Sequence, residues 1–131
     1  MVTFVTARAK AVIDYLAPDG SEIRLLTEVK GSSMALVTLK PGGISDAKVH
    51  KTVDEQWYFM QGIGQVWRKE DGYMEVTDVS PGVAINIPLG VGFQFRNTGW
   101  EPLSFICVDS PKWPAHGEAA KKEATSIQGY W

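Results

Sequence analysis

The chain has 131 residues, 44% of them hydrophobic and 21% charged, which suits one domain with a real core and argues against a disordered segment. A net charge of −2, with no cluster of Lys and Arg, speaks against nucleic acid as a partner. No apolar run reaches the length of a membrane span. The opening "MVTFVTARAKAVIDYL" lacks the apolar stretch and small-residue cleavage site of a secretory signal. The expectation is therefore a cytoplasmic protein with no membrane partner. The single cysteine, Cys107, has no partner for an internal disulfide and lies in the apolar run "LSFICVD", where buried packing is its expected role.

In chain order, short apolar or alternating runs predict strands at 12–17, 22–29, 33–40, 47–52 and 55–61. The series continues at 64–70, 73–79, 83–87, 92–97 and 102–109. Between them stand the turn signals "APDGS", "KGSS", "KPGG", "QGIG", "EDG", "SPG", "PLGVG" and "NTGWEP". Roughly ten short strands at regular spacing predict an all-β sandwich or barrel. The helical candidates are "ARAKAVIDYL" at the start and the short, solvated "GEAAKKEA" near the end. Nothing divides the chain, so a single domain over 1–131 is expected, with a barrel over about 10–110 and a tail over 111–131. That tail is polar apart from Trp113, Ile127, Tyr130 and Trp131. It is expected either to fold back over the barrel mouth, to cross to a partner subunit, or to move as chain ends often do.

Two stretches carry a family resemblance. Gly43, His50, Thr52, Glu55 and Gly62 follow the order glycine, His-x-His, Glu, glycine, with threonine at the second histidine and one residue too few before Glu55. Gly82, Pro88, Gly90, Phe93 and Asn97 follow the order Gly, five residues, Pro-x-Gly, two residues, His, three residues, Asn, with phenylalanine at the histidine. The chain thus resembles the cupin superfamily, small double-stranded β-helix (jelly-roll) barrels, over about residues 10–110. Gly62, Gly82 and Gly90 fit turns that need positive φ or close backbone approach, and Pro88 fits a strand end.

The resemblance implies that metal-dependent relatives hold one divalent ion with the histidines and glutamate of these motifs. Such ions want three or four N, O or S donors at about 2.0–2.3 Å. Here two remain, His50 and Glu55, since Thr52 and Phe93 take the other places. No metal or other cofactor is therefore expected. His116 lies beyond the last predicted strand, where nothing ties it to the site.

Residues two apart on a strand share a face. His50 goes with Thr52; Glu55 with Trp57 and Phe59; Phe93 with Phe95 and Asn97. In the cupin alignment these three sets line the barrel cavity, and Trp67 and Phe105 are further candidates. An aromatic cavity with one imidazole and one carboxylate suits a small apolar or aromatic ligand, although every one of these aromatics also serves as plain core. His50 itself has a purely structural reading. The expected function is metal-independent acid/base chemistry by His50 and Glu55 on a small metabolite, of isomerase, epimerase, cyclase or lyase type. The alternatives are a non-catalytic small-ligand module and a metal enzyme using His50 and Glu55. A homodimer is expected from the resemblance and from the need to cover sheet edges.

Overall fold

The computed structural model describes residues 2–114 and 122–131. Eleven strands are present among them: β1 (Tyr15–Leu16), β2 (Glu22–Val29), β3 (Ser32–Leu39), β4 (Lys48–His50), β5 (Asp54–Gln61), β6 (Gly64–Glu70), β7 (Tyr73–Val79), β8 (Ala84–Ile87), β9 (Gly92–Asn97), β10 (Leu103–Ser110) and β11 (Ala124–Ser126). They form a six-stranded sheet in the order β1-β2-β3-β10-β5-β8 and a five-stranded sheet in the order β11-β4-β9-β6-β7. Every strand pair is antiparallel. The all-β jelly roll expected from the sequence is the fold observed.

Alternation decides which side chains fill the space between the sheets. On β5, Glu55, Trp57 and Phe59 are buried while Asp54, Gln56, Tyr58 and Met60 are exposed. Trp57 stacks on Phe105 with ring centroids 4.2 Å apart, and Phe59 and Phe95 pack around Phe105 at 4.9 and 5.3 Å. Contacts of this kind add specificity to the large area each ring buries. The turns behave as their residues predict, with Gly62, Gly82 and Gly90 all at positive φ. Gly62 is doubly constrained, since a Cβ there would lie 2.5 Å from the Pro102 carbonyl oxygen.

Two expectations about elements need correcting. The strand predicted over 12–17 shrinks to Tyr15–Leu16, because side chains replace the ladder before it. Asp14 Oδ2 accepts from the Leu25 amide at 2.8 Å, and Arg24 donates to the carbonyls of Lys10 and Ala11. No helix forms over "ARAKAVIDYL". Of "GEAAKKEA", only 122–124 are described: Lys122 and Glu123 are helical, as expected, and Ala124 opens β11, paired with His50 on β4.

The tail folds back onto the five-stranded sheet. Tyr130 stacks over Trp67 at 6.0 Å, the Arg96 guanidinium lies 4.5 Å from the Trp131 ring, and Gln94 Oε1 accepts from both the Tyr130 and Trp131 amides.

Candidate functional site

His50 closes β4, and its imidazole is buried, with only 4% of the residue exposed. The Nδ1 atom is 2.6 Å from Glu123 Oε1, a side chain brought in by the residues just before β11. The other oxygen of Glu123 accepts from the amides of Lys51 and Thr52 and from the Thr52 hydroxyl. Glu123 is therefore fixed before it meets the ring. On the far side, His50 Nε2 is 3.2 Å from Glu55 Oε1. The alignment falls short of a hydrogen bond, so Nε2 has no such partner among the described residues. Phe93 stacks on the imidazole at 4.9 Å, and Trp113 meets it edge-on at 5.8 Å.

Glu55 is the hub on β5. Trp57 Nε1 donates to its Oε1 at 2.8 Å. Across the β5–β10 ladder its directly opposite residue is Asp109, and Cys107 stands opposite Trp57. The donor atoms of Glu55, Cys107 and Asp109 all lie within 4.8 Å of one another.

Burial and charge sort the protons. Burial opposes a charge on His50, but the hydrogen bond to Glu123 and the neighbouring Glu55 outweigh it and raise its pKa to about 10. Burial likewise works against ionising Glu55, yet the hydrogen bond from Asp109, with His50 and Trp57, brings it down to about 2. Asp109 goes the other way, pushed up to about 10 by burial and by Glu55 beside it. Two adjacent buried carboxyls cannot both ionise, and Asp109 keeps the proton. Burial also raises the Cys107 thiol. Around neutrality the cluster is an imidazolium between two carboxylates, with one neutral acid beside it.

These groups open into a small cavity of about 60 Å³. Trp57, Phe93 and Phe105 form its aromatic wall, Ile23, Leu25 and Val37 its aliphatic one, and Tyr15, Ser33 and Trp113 also line it.

Of the residues assigned to the cavity from the sequence, His50, Glu55, Trp57, Phe93 and Phe105 do line it. Thr52 does not. The chain bends after His50, the two-residue alternation breaks, and Val53 turns inward while Thr52 is exposed. Lys48, two residues before His50, takes the inner face instead; it pairs with Phe93 across β4–β9 and lines the cavity. With Lys48 and His50 as the two motif positions, four residues separate His50 from Glu55 and the missing residue disappears. Phe59 and Phe95 lie in the closed core instead of the cavity wall. Asn97 is spent on structure, donating to the Leu39 and Glu101 carbonyls and accepting from the Gly99 amide. Trp67 packs under Tyr130, away from the cavity. His116 falls outside the described residues.

Sequence reasoning missed Glu123, Asp109 and Tyr15, whereas Trp113 is one of the tail aromatics expected over the barrel mouth. Asp109 was within reach, because Phe105, Cys107 and Asp109 alternate along one strand. Glu123 carried no signal, being 73 residues from His50 in a segment with no strand pattern.

Residues 35–109 match the Cupin domain family. The chain is a cupin. It is 30% identical over 89 residues to the Xanthan biosynthesis protein XanB of Xanthomonas campestris, a stretch covering 68% of this chain and 18% of that protein. The cupin thus spans less than a fifth of that relative's length. Among solved structures it is similar to BH2720 from Bacillus halodurans, with 26% identity, a TM-score of 0.64 and 72% of each chain covered. A double-stranded β-helix protein from Klebsiella pneumoniae matches with a TM-score of 0.64 over 88% of this chain and 93% of that one, at 19% identity. The oxalate decarboxylase of Lactobacillus farciminis in its formate complex matches at 24% identity and a TM-score of 0.63, over 70% of this chain and 29% of that one. At those last two identities the likeness is one of fold alone.

The donor set does not fit the metal that the cupin motifs imply. Lys48 and Phe93, at two of the four motif places, offer an ammonium and a hydrocarbon ring. The Nδ1 of His50 is taken by Glu123. Cys107 and Asp109 bring further donor atoms near Glu55, but burial favours the protonated form of both.

Proposed function

We propose that this cupin is an enzyme that moves protons on a small molecule bound in its aromatic cavity. The observation that carries the reading is the oriented imidazole: Nδ1 is anchored at 2.6 Å by a buried glutamate, while Nε2 is unpartnered beside Glu55 at the cavity. An acid or base held this way loses little entropy on reaching its transition state. His50 acts as the proton donor through Nε2, and the Glu55 carboxylate receives the returning proton. A carboxylate near 2 is a weak base, so donation from His50 leads and Glu55 follows. The cycle resets when that proton passes from Glu55 Oε1 to His50 Nε2, 3.2 Å away, while Asp109 keeps its own proton throughout. Isomerisation, epimerisation and elimination all decompose into such steps.

The test is incorporation of deuterium. EDTA-treated protein is incubated in D₂O with a metabolite mixture, and mass spectrometry reads the gain of deuterium or any change of mass. The expected result is exchange that survives EDTA and falls by at least about 100-fold in both His50→Ala and Glu55→Gln. Exchange unchanged in those variants would overturn the reading.

A further inference from the structure

Two buried nitrogens in this cavity make no aligned hydrogen bond among the described residues: Trp113 Nε1, and His50 Nε2, which has Glu55 Oε1 at 3.2 Å but off the hydrogen-bond direction. Both rings line the same space and meet edge to face at 5.8 Å. Trp113 is held in place by its own amide, which donates to Ser33 Oγ at 2.9 Å. The other polar side chains of the cluster have partners: Glu123 takes His50 Nδ1 and Thr52, and Glu55 takes Trp57 Nε1. A buried donor without a well-aligned acceptor is costly, so an oxygen placed where both could reach it would be favoured. Charge selects further. Glu55 and Glu123 already set two carboxylates against one imidazole, Asp19 lines the same space, and the other lining cation, Lys48, has its ammonium on Ser126 Oγ, so a third anion there would be repelled.

We infer that the cavity takes a neutral carbonyl compound with an apolar body, its oxygen received by the Trp113 indole N–H and His50 Nε2. The apolar remainder lies against Trp57, Phe93 and Phe105. This deepens the reading of the cavity as a substrate site, but it rests on binding alone and not on turnover. It also gives His50 a geometric reason to act as donor, since a carbonyl gains reactivity at its α-carbon when its oxygen is protonated or hydrogen-bonded.

Matched ligands test it. Acetophenone and α-methylstyrene differ only by C=O against C=CH₂, and 2-pentanone and 2-methyl-1-pentene form an aliphatic pair. Benzoate supplies a charged oxygen on the same ring. Each is titrated into ¹⁵N-labelled wild-type protein, and the indole N–H signals of the five tryptophans are followed, with Trp113→Phe identifying its peak. At least one ketone is expected to bind about 10-fold tighter than its alkene, as one or two hydrogen bonds allow, and to shift the Trp113 indole signal. Benzoate is expected to bind more weakly than acetophenone. In Trp113→Phe the ketone preference should shrink severalfold.

Equal binding of ketone and alkene in wild-type protein would overturn the inference, since the donors would then be served by water. So would tightest binding by benzoate, or no binding by either ketone at millimolar concentration. A ketone preference without deuterium exchange would keep this inference and remove the catalytic reading; exchange without the preference would do the reverse.

Discussion

A carboxylate on each side of one imidazole makes His50 the residue whose proton is easiest to follow. Replacing Glu123 by Gln keeps the shape but removes a charge-assisted hydrogen bond, worth about 1.5–3 kcal/mol. The midpoint for His50, read from its ¹⁵N ring shifts, is expected to fall from about 10 by about 1–2 units. An unmoved midpoint would mean that Glu123 does not set the charge. The same shifts dictate how stability varies with pH. The folded value of His50 lies above the ordinary 6.5, so its contribution is whole below pH 6.5 and lost as pH rises toward 10. Asp109 acts in the same direction from 3.8 upward, because the unfolded carboxyl ionises while the folded one does not. Glu55 acts oppositely, stabilising above 4.5 and losing that contribution as pH falls toward 2. Thermal stability should therefore peak at mildly acid pH and decline from 6.5 to 10. Asp109→Asn should flatten that alkaline decline by about half, which scanning calorimetry across the pH range checks.

At the scale of elements, the site depends on a short strand added late to a sheet edge. Gln94 on β9 ties that addition down, accepting from two tail amides and donating to the Ser45 carbonyl at 2.9 Å. Gln94→Ala should cost about 2–3 kcal/mol in urea unfolding and disturb the His50 signals although it does not touch the ring. Normal His50 signals in that variant would show that β11 holds without the tail. Strands β2 to β10 were legible because Gly, Pro and Asp punctuate most turns, the Lys51–Thr52–Val53 break excepted, and the alternation of burial is clean, as along Glu55–Gln56–Trp57–Tyr58–Phe59. The flanking strands were not. β1 yields to side-chain contacts from Asp14 and Arg24, and β11 comes from a segment whose composition reads as helix. The Thr52 assignment failed for a local reason: parity carries only as far as the strand does, and β4 ends at His50. Lys48 was on the right face all along, but a lysine does not announce itself as a cavity residue. A long stem that covers apolar surface while its ammonium reaches Ser126 Oγ at 2.8 Å shows why it fits there.

For the whole molecule, two sheets close around a ring-filled core on one side and the polar-ended cavity on the other. Phe59 is fully buried in that centre, and Phe59→Ala should cost about 3–5 kcal/mol without changing the His50 midpoint, since its ring lies outside the cavity wall. The family scaffold also makes a direct prediction about metal. Lys48→His combined with Phe93→His would restore four motif donors, and elemental analysis of untagged protein should then find a divalent ion near one equivalent, against far less in the parent chain. Equal occupancy in the two proteins would place the donors elsewhere. The separation between His50 and Glu123 has a further outcome during synthesis. Every strand up to β10 leaves the ribosome before Glu123 does, so a nascent barrel can close with its imidazole still lacking an anchor. Competence would then arrive only once Glu123 has cleared the exit tunnel, and an arrest that holds Glu123 back should yield a folded jelly roll whose His50 lacks its anchor.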